Sequence, residues 1–164
     1  MSEPLQRTFA RLFADADTAM YIVTAEGGGE RAGCLIGFAT QTSVSPPRFL
    51  ACLSRENHTY KVACQAETLI VHVVDEDAAD LAELFGGASG DDLDKFARVE
   101  WRRGPHGAPR LERLETWFAG RVLERIALGD HVGFLLEPLD GSVHRGARPL
   151  RFHRARAIEP GHAP

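Results

Sequence analysis

The sequence predicts a mainly β domain, a barrel or sandwich-like sheet with short helical insertions. Strand-forming runs are many and short: Ala19–Ala25, Arg48–Leu53, Thr68–Val74 and His131–Glu137. Glycine-marked turns punctuate them, at Gly27-Gly28-Gly29 and Gly129-Asp130. No strand–glycine loop–helix unit carries a dinucleotide fingerprint, which argues against a doubly wound sheet. The 164 residues fit one compact domain spanning 1–164.

Taken in order, Leu5, Phe9, Leu12 and Phe13 fall at helical spacing, so Pro4–Ala14 reads as a short amphipathic helix whose stripe is for packing. Ala19–Ala25 is rich in strand formers. The three glycines after Glu26 read as a hairpin turn, because glycine tolerates positive φ. Arg31–Thr42 is expected to return as one partner strand. Pro46 and Pro47 hold the chain extended, and the next strand runs from Arg48 to Leu53. Asn57–Gln65 reads as helical.

Thr68–Val74, TLIVHVV, is a strand, and His72 in its middle reads as a core histidine satisfied by a neighbour. Asp75 is placed to cap a helix with Ala78, Leu81, Ala82 and Phe85 on its apolar side, stopped by Gly86-Gly87. Asp91–Phe96 reads as a short acidic piece with a solvated charged face. Arg102–Pro109 reads as a loop, with Arg102 and Arg103 solvated. Periodicity leaves Glu112–Leu128 open between helix and strand: Leu111, Leu114, Phe118 and Val122 suit a helix, while Phe118, Val122 and Ile126 share a strand face. His131–Glu137 is a strand that Pro138 ends. Arg148–Ala157 reads as a last strand or tail with basic side chains between Leu150, Phe152 and Ala155.

A net charge of −4 disfavours a general nucleic-acid binder. No stretch approaches a membrane span, and the charged first twenty residues lack the apolar core of a signal peptide. The three cysteines, Cys34, Cys52 and Cys64, form no C-x-x-C pair. Cys34 and Cys52 sit in apolar strand-like surroundings, which fits a reducing, cytoplasmic setting. The seven histidines show no tight ligand spacing with the cysteines, so no metal site is expected.

The chemistry concentrates in Gly37–Ala66, GFATQTSVSPPRFLACLSRENHTYKVACQA. Ser54, Arg55, Asn57 and Thr59 offer hydroxyl, guanidinium and amide groups within six residues, beside the N-terminal end of a helix. That composition suits a phosphate. The alternative is an ordinary helix start with Asn57 as its cap. Asp130-His131 is a second candidate, since a carboxylate can fix an imidazole tautomer. Neighbours on a strand point to opposite faces, however, so a direct pair requires the turn to bend.

Four segments then resemble one family. They are GFATQTSVSPPRFLACLS (37–54), RENHTYKVACQAETLIVHVV (55–74), DKFARVEW (94–101) and GDHVGFLLEP (129–138). In this order they resemble the flavin reductase-like domain of the FMN-binding split-barrel superfamily. The resemblance implies a six-stranded Greek-key split β-barrel with short helices, and mainly strand for Glu112–Leu128. It implies a homodimer binding FMN, or FAD, and hydride transfer from NADH or NADPH to the flavin, with a separate monooxygenase as a partner for the reduced product. The alternative within the family is a non-reductase FMN-binding protein or electron carrier. Carried over by position, Thr40, Gln41, Thr42 and Ser43 line the flavin ring and ribityl chain, with Ser45 nearby. Ser54, Arg55, Asn57 and Thr59 hold the phosphate. His131 matches the motif histidine and His153 a last-strand histidine on the nicotinamide side. The sequence departs from the family where Ser45 is followed directly by Pro46, without the usual two residues between.

Overall fold

The computed structural model describes residues 3–87 and 93–158. Asp91 and Asp92, the start of the expected acidic piece, and His162 lie outside them. The chain opens with α1 (Glu3–Ala14), then β1 (Tyr21–Gly27) and β2 (Glu30–Ile36). The β1–β2 hairpin closes through Gly28 (φ +60°) and Gly29 (φ +80°), between the paired Gly27 and Glu30. Positive φ at both turn positions matches the right-handed twist of the strands. After β2 come β3 (Ala39–Ser43), β4 (Arg48–Ser54), α2 (His58–Ala63), β5 (Thr68–Val73) and α3 (Ala79–Gly87). The short hairpin β6 (Trp101–Arg103) and β7 (Pro109–Leu111), the long strands β8 (Trp117–Ala127) and β9 (His131–Ser142), and α4 (Phe152–Ala155) complete the fold.

The main sheet has seven strands in the order β2-β1-β5-β8-β9-β4-β3, every pair antiparallel. β2 and β4 stand far apart in that order, yet Ala32 and Cys34 of β2 share one buried cluster with Ala51 and Leu53 of β4. The sheet therefore curls round its core. A second cluster fills the outer side, where Ile22, Val74, Leu81, Phe85, Phe96 and Leu150 meet. Val23 belongs to the inner cluster and Ile22 to the outer. Both faces of β1 are thus buried, as are both faces of β5, which is why these strands read as continuous apolar runs.

Several expectations are corrected. Arg31–Thr42 is two strands, broken at Gly37-Phe38 and placed at opposite ends of the sheet, so the sheet has one strand more than the six implied. Pro138 does not end β9. It lies beyond the β4 pairing and opposite a bulge at Ala119/Gly120, where a strand tolerates the missing N–H. Arg102–Pro109 spans most of the β6–β7 hairpin, and Arg103 and Arg102 pair with Glu26 and Glu112 at 2.8 Å each. Lys95 is buried, not solvated: its Nζ donates to the carbonyls of Gly33 and Phe85 at 3.1 Å each. Asp75 precedes a 3-10 turn without a side-chain cap bond, and α3 runs through both Gly86 and Gly87. The stripe on α1 is exposed, with Phe9 at 57% and Leu12 at 62%. Arg148–Ala157 makes single bridges, Pro149 to Asp75 and Arg151 to Ala19, and then turns into α4.

Candidate functional site

A cavity of about 350 Å³ opens over the gap between β2 and β4. That volume is in the range of small-molecule sites. Ile36 and Phe38 bound one side, Cys52 and Ser54 of β4 the other, and Phe152 and Arg156 cover an end. Asn57 and His58, at the start of α2, and His131, the first residue of β9, complete the polar lining.

Each polar group is set by local structure. Ser54 ends β4 opposite His131 in the β4–β9 register. Its buried hydroxyl accepts the Glu56 N–H at 3.3 Å. Asn57 caps α2: its Oδ1 accepts the Thr59 N–H at 2.9 Å. The cap alternative therefore holds, and the same residue also lines the cavity. His58 bonds through Nε2 to Glu30 Oε1 at 2.6 Å. His131 bonds through Nδ1 to Asp130 Oδ1 at 2.8 Å. The turn does bend: Gly129 has φ +93°, so Asp130 stands outside the strand alternation. The His131 imidazole beside it holds the Asp130 carboxyl below the usual carboxylate range. The Phe38 ring lies 5.0 Å from that imidazole.

Of the sequence-predicted residues, the cavity brings together Ser54, Asn57 and His131. Arg55 leans the other way, its Nε donating to Gly129 O at 3.2 Å and its backbone N–H to Asp130 O. Thr59 is buried beside the Cys34 thiol. Burial pushes that thiol up to about 11, against the opposing pull of Thr59 and Lys95. Thr40, Gln41, Thr42 and Ser43 sit on the edge strand β3, and Ser45 follows it; apart from Ser43 they are exposed, and none lines the cavity.

His153 lies on a short helix rather than a strand, so the alternation that would pair it with Arg151 does not apply. Its Nε2 donates to Ala14 O at 2.6 Å, and its backbone N–H to Asp17 Oδ1 at 2.8 Å. It does not line the cavity, whereas its neighbour Phe152 does.

Sequence reasoning passed over Phe38, Cys52, His58, Phe152 and Arg156. His58 was in view inside the polar cluster, and Arg156 inside the basic tail; nothing in their spacing points to a shared cavity. Among the described residues no group of three His, Cys, Asp or Glu is placed to hold a metal, and no helix is long and apolar enough to cross a membrane.

Residues 13–159 match the flavin reductase-like domain family. The chain belongs to that family. This flavin reductase-like domain is 36% identical over 114 residues to a protein named FMN reductase (NADH) RutF from Methylorubrum extorquens. That match covers 70% of the chain but only 55% of the relative's length. It is 31% identical to the like-named protein of Enterobacter cloacae, covering 80% of the chain and 79% of that relative. Among solved structures, a Streptomyces globisporus NADH:FAD oxidoreductase superposes with a TM-score of 0.81 at 24% identity, over 91% of the chain and 89% of that protein. The shared fold is thus the mainly β split barrel that the sequence implied.

The lining of the domain's cavity suits a flavin. Apolar side chains from Ile36, Phe38 and Phe152 can pack against a flat ring, while Ser54, Asn57 and the imidazoles supply polar contacts at one side. No carboxylate is among the described lining residues; Glu30 and Asp130 stand behind the lining imidazoles of His58 and His131, bonded to them.

Proposed function

We propose that this protein is an NADH-dependent flavin reductase with FMN as its flavin. The observation that carries the reading is one cavity holding Ser54, Asn57 and His131 together in a chain of this family. The names of the Methylorubrum and Enterobacter relatives support FMN and NADH over FAD and NADPH. When bound, the flavin supplies the hydride-accepting nitrogen. The protein supplies position and electrostatics.

In this reading Phe38, Ile36 and Phe152 exclude water from the ring. Ser54 and Asn57 hold its polar groups, and His131, aimed by Asp130, faces the reacting side. Arg55 and Thr59 act on the phosphate side by fixing the β8–β9 turn and the seat of α2. His153 serves the nicotinamide side as a positioning residue: it ties α4 to the end of α1 and so sets Phe152 and Arg156 at the cavity end.

Thr40, Gln41, Thr42, Ser43 and Ser45 enter the site from the β3 edge, with a second copy of the chain covering them. Open apolar surface at Leu5, Phe9, Leu12 and Phe13, and at Phe38 and Val44, supports a homodimer. Supply of reduced flavin to a separate monooxygenase, in the cytoplasm, belongs to the same reading.

The test is optical. The purified protein is expected to be yellow, or to bind added FMN with a shifted spectrum, and to bleach within minutes on anaerobic mixing with NADH. Failure to bind any flavin would overturn the reading. Binding without bleaching by NADH or NADPH would favour the electron-carrier alternative. Light scattering is expected to give about twice the 18.0 kDa chain mass.

A further inference from the structure

Among the described residues that line the cavity, one side chain carries a permanent charge: Arg156. It follows α4 directly, and its backbone N–H donates to Phe152 O at 2.8 Å, which fixes its Cα at the cavity end. The nearby arginines are engaged away from the cavity. Arg151 donates to Asp17 O, and Arg154 pairs with Glu76 at 3.6 Å. Arg156 is exposed, and among the described residues no ion pair engages its guanidinium.

The other polar lining groups are neutral hydrogen-bonding groups, Ser54 and Asn57, and two imidazoles already bonded to carboxylates, His58 to Glu30 and His131 to Asp130. A guanidinium at the rim of a cavity without carboxylates gives that end a positive potential. Its planar fork also matches two phosphate oxygens at once, which a single ammonium does not.

We propose that Arg156 is the phosphate-recognising side chain of this cavity. Its ligand is either the phosphate of bound FMN or the pyrophosphate of the reduced nicotinamide dinucleotide. The assignment rests on the flavin reductase reading above. It adds a group that lies outside the serine–arginine–asparagine–threonine cluster, in the segment that follows α4.

The experiment uses Arg156→Gln and Arg156→Lys in the full chain, with melting temperatures measured to show that both fold like the parent. Equilibrium binding of FMN and of riboflavin, which lacks the phosphate, is followed by fluorescence quenching. Flavin reduction is followed with NADH and with 1-benzyl-1,4-dihydronicotinamide, a hydride donor without phosphate.

If the flavin phosphate is the ligand, Arg156→Gln weakens FMN tenfold or more and leaves riboflavin unchanged. If the dinucleotide is the ligand, the NADH constant rises tenfold or more while the benzyl donor and both flavins are unaffected. Arg156→Lys recovers part of either loss. Unchanged FMN and NADH constants would overturn the proposal, as would an equal loss for riboflavin and FMN, which marks a role in shaping the cavity only. Parent protein that binds neither flavin would sink the flavin reading itself, separately from the assignment of Arg156.

Discussion

Asp130 and His131 are neighbours in sequence, and their side chains nonetheless meet, Nδ1 of His131 donating to Oδ1 of Asp130 at 2.8 Å. The reason is the preceding glycine. Gly129 takes φ +93°, which turns Asp130 out of the strand plane while His131 begins β9. A bond at Nδ1 leaves Nε2 as the other polar position of the ring. Asp130→Asn removes the carboxylate but keeps the size. Flavin reduction by NADH is expected to slow by about tenfold, the lower end for loss of an orienting partner, with FMN affinity unchanged. Stopped-flow absorbance measures the first and equilibrium quenching the second. The lowered Asp130 carboxyl makes its small contribution to stability above its unfolded titration range, and loses it as pH falls through the folded one.

His72 is a stability residue with a pH signature. Its Nδ1 donates to Ile22 O at 3.0 Å, and its Nε2 accepts the Leu111 N–H at 3.1 Å, so the buried ring is neutral. Burial pushes it down from 6.5 to about 4. Between those values the unfolded chain holds one more proton than the folded chain. Stability therefore falls as pH drops from about 6.5 to about 4, by about 3 kcal/mol in all. Urea melts at a series of pH values measure this. His72→Leu is expected to cost about 1–3 kcal/mol at neutral pH, because it leaves the buried Leu111 N–H without its acceptor and the Ile22 carbonyl without the imidazole donor. It should also flatten this part of the acid dependence.

Lys95 clamps α3 to β2 from inside the protein. Its Nζ holds Phe85 O and Gly33 O at 3.1 Å each and lies 5.5 Å from the centre of the Phe85 ring. Burial lowers its pKa. Lys95→Met fills similar space and leaves both carbonyls without that donor. A loss of about 2 kcal/mol is expected in thermal or urea melts. Because Phe85 and Gly86 also line the cavity, FMN affinity should fall with it.

Gly27 sets the seat of α2. A Cβ built there would lie 2.6 Å from Val62 O and 2.9 Å from the Gln65 carbonyl carbon, both backbone atoms. Gly27→Ala is expected to push α2 outward, destabilise by about 1–3 kcal/mol, and weaken FMN binding through Asn57 and His58. Gly29→Ala is the control. Its φ of +80° strains any side chain by about 1–2 kcal/mol, but nothing lies within 4 Å, so flavin affinity should stay at the parent value.

Local chemistry determined much of this protein from sequence alone. The two-glycine hairpin, the Asn57 cap, the apolar run of β5 and the satisfied His72 all depend on conformations or burial that a few adjacent residues dictate. The order of the four family segments determined the class of fold and resolved Glu112–Leu128 as mainly strand, of which Trp117–Ala127 forms β8, where periodicity left both readings open. Tertiary structure decided what depends on distant strands. The gap between β2 and β4 joins Cys34 to Cys52 and Ser54, and brings in Arg156 from the other end of the chain. It also decided which members of one polar run face the cavity. Ser54 and Asn57 do, Thr59 turns inward to Cys34, and Arg55 turns to the β8–β9 turn. Lys95 shows the same limit: a cation beside an acidic run reads as solvated until packing supplies two backbone carbonyls to receive it. A side chain's direction follows from the curvature of the sheet and from the elements packed against it, and neither is written in the spacing of nearby residues.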